Sequence, residues 1–315
     1  MMDRHRKDIP VEKLNGSSGF TLLGFSDFHC NHQALFAVFL VVYLLTWTGN
    51  LLLLSSIKLS PHLHTPMYFF LGNLSFIDIC FSTVTVPKLL MNLLQGGAEI
   101  TFLECFVQMY AFYSLGNVEN LLLSVMAFDR YLAVCNPLRY SSMMNRKIQI
   151  TLVVASWVVS CLHSLLHSYT VSQLTYCENR LIPHYFCDIT SLLQLSCSST
   201  TVAEILIFSE GSIEVVTPFL FILYSYLLIA KAIKRLKTAK GRSKAFSSCS
   251  SHLIVICLFY GSVIFIYLRP PANYSADYNR LVSVLYTVVT PTINPFIYSL
   301  RNQEVRNTLQ KFIKK

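Results

Sequence analysis

The run ALFAVFLVVYLLTWTGNLLLLSSI, Ala34 to Ile57, contains no Asp, Glu, Lys or Arg. An α-helix rises 1.5 Å per residue, so about 20 apolar residues cross the roughly 30 Å of a bilayer's hydrocarbon, and this run is long enough. Reading outward, comparable apolar runs recur at about 66–91, 102–135, 148–171, 202–230, 246–268 and 281–300. That makes seven spans. Backbone groups in lipid must be satisfied internally, and runs of this length are helical rather than the ten-residue alternating strands of a barrel. The expected fold is an all-α membrane protein, a bundle of seven transmembrane helices over residues 34–300. It is preceded by an N-terminal segment, 1–33, and followed by a tail, 301–315.

Composition agrees. Of 315 residues 53% are hydrophobic and only 13% charged, with mean hydropathy +0.50. That leaves too little polar surface to cover a water-soluble globule of this size. The net charge of +9 would suggest nucleic acid if the bases formed one patch on a soluble domain, but they do not. The segments 58–64, 136–147, 231–244 and 301–315 together hold 16 basic residues against one acid, Glu304; the segments on the other side hold seven basic against eight acidic. Basic loops stay in the cytoplasm, so the N-terminus is extracellular, the C-terminus cytoplasmic and nucleic acid is not a partner. The cluster Lys231, Lys234, Arg235, Lys237, Lys240, Arg242 and Lys244 reads as an inner-leaflet anchor, with docking of a cytoplasmic partner as an overlapping role.

Residues 1–20 lack the apolar core of a cleavable signal, so the first span is expected to direct insertion. Asn15-Gly16-Ser17 is a glycosylation sequon on the outer side, as is Asn273-Tyr274-Ser275 nearer the membrane. Cys105, Cys177, Cys187 and Cys197 lie on the oxidising side, and spacing alone leaves three pairings open. Past Asn302, Val305, Leu309 and Phe312 alternate with Arg306, Lys311, Lys314 and Lys315, the pattern of a short amphipathic helix resting on membrane lipid.

Ionisable groups inside spans are costly and mark functional candidates. Here they are Asp78, Glu119, the pair Asp129-Arg130, and, in the fifth span, Glu210 and Glu214. From Cys105 to Arg130 is about 38 Å of helix, so the third helix carries the outer cysteine at one end and Arg130 at the inner boundary. A boundary ion pair with a snorkelling arginine is the competing, lesser reading of Asp129-Arg130.

The sequence around that pair, MAFDRYLAVCNPLRY (Met126–Tyr140), resembles the third-helix signature of the olfactory receptors, a branch of the rhodopsin-like (class A) G-protein-coupled receptors. Further matches follow in the family's order: GN (Gly49-Asn50), LHTPMYFFL (Leu63–Leu71), LSFID (Leu74–Asp78), SY (Ser225-Tyr226), KAFSSCSSHL (Lys244–Leu253) and PTINPFIYSLRN (Pro291–Asn302). The resemblance runs from about residue 20 to 312. Departures are small: Phe128 stands where Tyr is usual, Ser248 where Thr is, and Thr292-Ile293 where Met-Leu is common.

The resemblance implies a receptor in the plasma membrane that binds a small volatile odorant and activates a heterotrimeric stimulatory G protein of the olfactory type, raising cAMP. It implies the disulfides Cys105–Cys187 and Cys177–Cys197. It implies that Asp129, Arg130, Tyr131, Tyr226, Asn294, Pro295 and Tyr298 serve activation. It likens Asp78, Glu119 and Asn294 to a mid-membrane polar cluster suited to a sodium ion or a shared proton; no other cofactor is expected.

Helical periodicity supplies a ligand set: Phe112, Tyr113, Gly116, Asn117 and Asn120 on adjoining faces of helix three, and Tyr260, Val263, Ile264 and Tyr267 on helix six. Ordinary helix packing is the competing reading for each. Glu210 is expected at the pocket, favouring ligands that donate hydrogen bonds, with bonding to His163 or His167 of helix four as the alternative. Phe112 stands where amine receptors keep an aspartate, which argues against a biogenic-amine ligand. A non-olfactory rhodopsin-like receptor is the nearest alternative. A transporter or channel would show repeats or paired broken helices, which are not found, and an enzyme is not expected because neither HExxH nor GxSxG occurs.

Overall fold

The computed structural model describes residues 19–26, 31–177, 180–236, 238–267, 276–301 and 305. The expected sites Asn15 and Asn273, and the expected helix beyond Asn302, lie outside the described residues apart from Val305, which is buried.

Long helices occupy all seven expected spans: α1 (His32–Leu59), α2 (Pro66–Gln95), α3 (Phe102–Cys135), α4 (Arg146–Ser172), α5 (Thr201–Arg235) and α6 (Ala239–Tyr267), then α7, built of Ala276–Val284, a π turn at Leu285–Val289 and Thr290–Arg301. Their starts are encoded locally. Asn31 accepts from Ala34 N–H, Asn145 accepts from Ile148 N–H, and Thr101 with Glu104 forms a reciprocal capping box. Each supplies an acceptor to a first-turn N–H that has no partner within the helix. α2 instead begins on Pro66, whose missing N–H costs nothing at that position.

By length and composition, five of the described helices are apolar enough to cross a membrane. α3 is not among them because Gln108, Asn117, Glu119 and Asn120 interrupt it. It lies at the centre, packed against α2, α4, α5 and α6, with its polar side chains facing other helices rather than lipid. The outward faces are the reverse. Phe208 is 80% exposed and Leu162 62% exposed, on a scale that water would not tolerate and lipid requires.

α1 is held to α7 by a close approach at Gly49, where a Cβ would sit 3.1 Å from Pro295 Cγ. Above it Asn50 donates to the Pro291 carbonyl at 3.1 Å, and Thr46 meets Thr292 at 2.6 Å. The π turn in α7 precedes Pro291, and the Leu285 carbonyl there accepts both the Thr290 N–H and, at 3.0 Å, the Thr290 hydroxyl.

The outer end carries a small sheet in the order β2-β1-β3, formed by Gly19–Leu22 (β1), Ala98–Thr101 (β2) and Leu181–Ile182 (β3). β1 runs antiparallel to β2 and parallel to β3. Asn92, near the outer end of α2, clamps the chain leaving β1: its amide donates to the Leu22 carbonyl at 2.9 Å and its carbonyl accepts from Phe25 N–H at 3.2 Å. Gly24 makes this turn with φ of 54°, and a Cβ there would collide with the Asn92 side chain at 2.0 Å.

Candidate ligand pocket and activation switch

Disulfides Cys105–Cys187 and Cys177–Cys197 are both formed, with Cα separations of 5.5 and 6.0 Å. The first pulls His184-Tyr185-Phe186-Cys187-Asp188 down into the mouth of the bundle. There Tyr185 bonds Thr287 at 2.8 Å, Phe186 stacks on Phe112 at 4.4 Å between ring centroids, and Tyr113 donates to Asp188 at 3.0 Å. His184 is buried against Ser283 at 3.2 Å, and this burial pushes its imidazole down to a pKa of about 4, with Arg280 adding to the effect and Asp188 opposing it.

Below this plug the expected α3 ligand set divides. Phe112 and Gly116 face α2 and α7, where Phe112 packs on Phe81 at 4.9 Å and Gly116 lies 3.7 Å, counted from an added Cβ, from the same ring. Asn117 and Asn120 face the other way. Asn117 reaches His163 at 3.2 Å and Ser164 at 3.3 Å on α4, while Asn120 donates to the Glu214 carbonyl of α5 at 2.8 Å and accepts from the Tyr260 hydroxyl of α6 at 2.5 Å. Tyr260 packs on Phe219 at 4.9 Å. Val263 is half-buried above it; the side chains of Ile264 and Tyr267 lie outside the described residues.

Glu210 does not join this set. It is exposed, and the acid that turns inward is Glu214, whose Oε2 lies 2.5 Å from His163 Nδ1. The buried face of α5 runs through Pro218, Ile222, Ser225 and Ile229. Each four-residue step on a 3.6-residue helix turns the side chain about 40° further, so two steps back from Pro218 bring Glu210 to the edge of that face. The expectation that Glu210 takes His163 or His167 as a helix-four partner therefore falls to Glu214.

Mid-membrane, Asp78 accepts both close contacts of the Asn294 amide, at 3.1 and 3.2 Å. Glu119 is buried close enough to interact electrostatically with Asp78. Glu119 Oε1, Asn50 Oδ1 and Asn294 Oδ1 are buried acceptors without hydrogen-bond donors. Oxygen acceptors left bare in this way suit a hard monovalent cation. Among the described residues no three His, Cys, Asp or Glu side chains converge as a metal site.

At the inner end Arg130 is buried and bound to Asp129 at 2.6 Å; Asp129 also accepts from Tyr140 at 2.7 Å. Tyr226 of α5 meets His252 of α6 at 2.7 Å. Tyr131 stacks with Phe128 at 6.4 Å, Pro295 packs against α1, and the Tyr298 hydroxyl is buried without a hydrogen-bond partner. Sequence reading does not single out His252 and Tyr140 as site residues, although both lie inside quoted motifs; their bonds to Tyr226 and Asp129 cross between elements and leave no local signal.

A bundle of seven helices, plugged at its mouth by a disulfide-tethered loop and holding a buried arginine at its inner end, is the frame of a rhodopsin-like membrane receptor. The sequence matches the olfactory receptor family over residues 39–315. It is 48% identical over 294 residues to olfactory receptor 1f45 of Rattus norvegicus, covering 93% of this chain and 94% of that one. It is 45% identical over 311 residues to olfactory receptor 1L6 of Homo sapiens, covering 98% and 90%, and 47% identical over 294 residues to olfactory receptor 1E16 of Mus musculus, covering 93% and 94%. The chain belongs to the olfactory receptor family of class A G-protein-coupled receptors. It is a multi-pass membrane receptor for odorants and not an enzyme.

Proposed function

We propose that the receptor sits in the plasma membrane with its N-terminus outside and its tail in the cytoplasm, takes a small volatile ligand among α3, α5, α6 and α7, and activates a stimulatory olfactory-type G protein to raise cAMP. Asn117, Asn120 and Tyr260 give the pocket its polar handles, and Phe112, Tyr113 and Val263 part of its apolar wall.

The observation that carries this reading is that one helix holds both ends of the switch. Tyr260, bonded to Asn120, and His252, bonded to Tyr226, are eight residues apart on α6, about 12 Å along its axis. A ligand that competes for Asn120 releases Tyr260 and frees α6 to move at its inner end, where His252 leaves Tyr226 and uncovers Arg130. Asp78, Glu119 and Asn294 lie at an intermediate depth and would hold a sodium ion, whose single charge would offset one of the two acids there while the other keeps a proton.

The test is ligand-dependent cAMP in cells across a panel of diverse odorants, with Arg130→Ala as the control. The reading requires the response to disappear in Arg130→Ala while the variant still reaches the cell surface. Normal signalling by that variant refutes the role of Arg130.

A further inference from the structure

The seam between α4 and α5 contains a cluster that borders the odorant pocket, where Asn117 reaches His163 Nδ1 at 3.2 Å, and whose own chemistry the pocket and the activation switch do not account for. His163 and His167 stand one turn apart on α4 and turn the same ring nitrogen toward each other, Nε2 to Nε2, at 3.0 Å. On the far side of His163, Nδ1 is held by Glu214 Oε2 at 2.5 Å. The other oxygen of that carboxylate, Glu214 Oε1, is buried with no hydrogen-bond partner, and the side chain is only 9% exposed.

Two imidazole nitrogens on one tetrahedral zinc, each at about 2.0–2.1 Å, sit roughly 3.3 Å apart, so these histidines already stand near a metal's bite. A carboxylate on the opposite nitrogen of a ligating histidine fixes the ring and raises its basicity, which is what Glu214 does here. α4 and α5 run antiparallel and touch at His163 and Glu214. One turn outward along both, about 6 Å, brings His167 level with Glu210. Among the described residues no three ligating groups yet share a point; rotation of the exposed Glu210 side chain supplies the third. Charge argues the same way. Glu214 is paired with His163, whereas Glu210, one turn away in the same apolar span, has no ion-pair partner among the described residues; a cation bound beside it would offset that carboxylate.

We propose that His163 and His167, backed by Glu214 and completed by Glu210, form a binding site in the α4–α5 seam for a divalent transition-metal ion of the zinc and copper class. Imidazole nitrogen with carboxylate oxygen is the donor set that such ions prefer over magnesium or calcium. On binding, the proton shared between the two Nε2 atoms moves to Nδ1 of His167 or leaves to water, and each Nε2 lone pair goes to the metal. The ion then pins α4 to α5 beside Asn117.

The experiment titrates Co2+, then displacing Zn2+, into the full-length receptor in lipid nanodiscs, without a polyhistidine tag and stripped of metal. One ion per receptor is expected. His163→Asn and His167→Asn should each weaken binding by at least about 100-fold, and Glu214→Gln by about 10- to 100-fold. The absence of saturable binding to the wild type, or unchanged affinity in the double histidine variant, overturns the proposal. Because removing the His163–Glu214 bond endangers the fold, X-ray absorption on the zinc-loaded wild type decides independently. Two imidazole nitrogens with oxygen support the site, and sulfur ligation places the ion on cysteines and overturns it.

Discussion

Tyr260 of α6 donates its hydroxyl to Asn120 of α3 across 2.5 Å, and both side chains are 3% exposed. Asn120 is at the same time tied to the backbone of α5 at Glu214, so one amide joins three helices. Tyr260→Phe leaves Asn120 Oδ1 buried and unpaired at a cost of about 1–3 kcal/mol, and the purified variant should melt measurably lower than the wild type. With α6 no longer anchored to α3, ligand-free cAMP should also rise about 2- to 10-fold. An unchanged baseline removes the bond from the switch.

His184 makes stability depend on pH through the outer loop. Its folded pKa of about 4 lies below the ordinary value of 6.5, so the unfolded chain binds its proton more readily than the folded one. The stabilising contribution is complete above about pH 6.5 and is lost as pH falls from there toward 4. Thermal unfolding of the wild type between pH 7 and 4.5 should therefore shift downward more steeply than that of His184→Asn. Parallel slopes contradict the burial of a neutral imidazole here.

The two disulfides should differ in weight. Cys105–Cys187 closes a loop of 82 residues and Cys177–Cys197 one of 20, which by loop-closure entropy correspond to about 4–5 and about 3 kcal/mol. The first also holds Phe186 and Tyr185 in the bundle mouth. Cys187→Ser should reduce surface expression further than Cys197→Ser, as read by flow cytometry on unpermeabilised cells.

Asn92 is the polar rivet of the outer sheet. Asn92→Ala removes the bonds to the Leu22 carbonyl and the Phe25 N–H, and should cost about 1–3 kcal/mol. Gly24→Ala is worse placed still, since a Cβ would both collide with Asn92 and sit at positive φ. Hydrogen exchange at residues 19–26 should accelerate in both variants.

The membrane bundle was legible because lipid imposes one rule on every span. The expected 34–57 is found as His32–Leu59 and the expected 102–135 as Phe102–Cys135. Boundaries failed where helices outrun the apolar layer: α5 continues to Arg235 and α6 begins at Ala239, in basic sequence that hydropathy cannot mark as helical. The sheet was invisible because strands of two to four residues in separate loops carry no local signal of their pairing. The π turn at Leu285–Val289 was equally hidden. In the site, periodicity grouped Asn117 and Asn120 on α3 without naming their partners, and chose Glu210 where Glu214 is the acid that turns inward. Both carry the same chemistry four residues apart, and only the position of His163 on a neighbouring helix separates them.

The central claim, that ligand occupancy near Asn120 and Tyr260 is relayed by α6 to Arg130 and a stimulatory G protein, is tested most directly by cAMP measured across an odorant panel in cells bearing the wild type or Arg130→Ala at equal surface expression. The account predicts that at least one small volatile compound raises cAMP in the wild type and none does so in Arg130→Ala. An odorant response that survives undiminished in Arg130→Ala contradicts it.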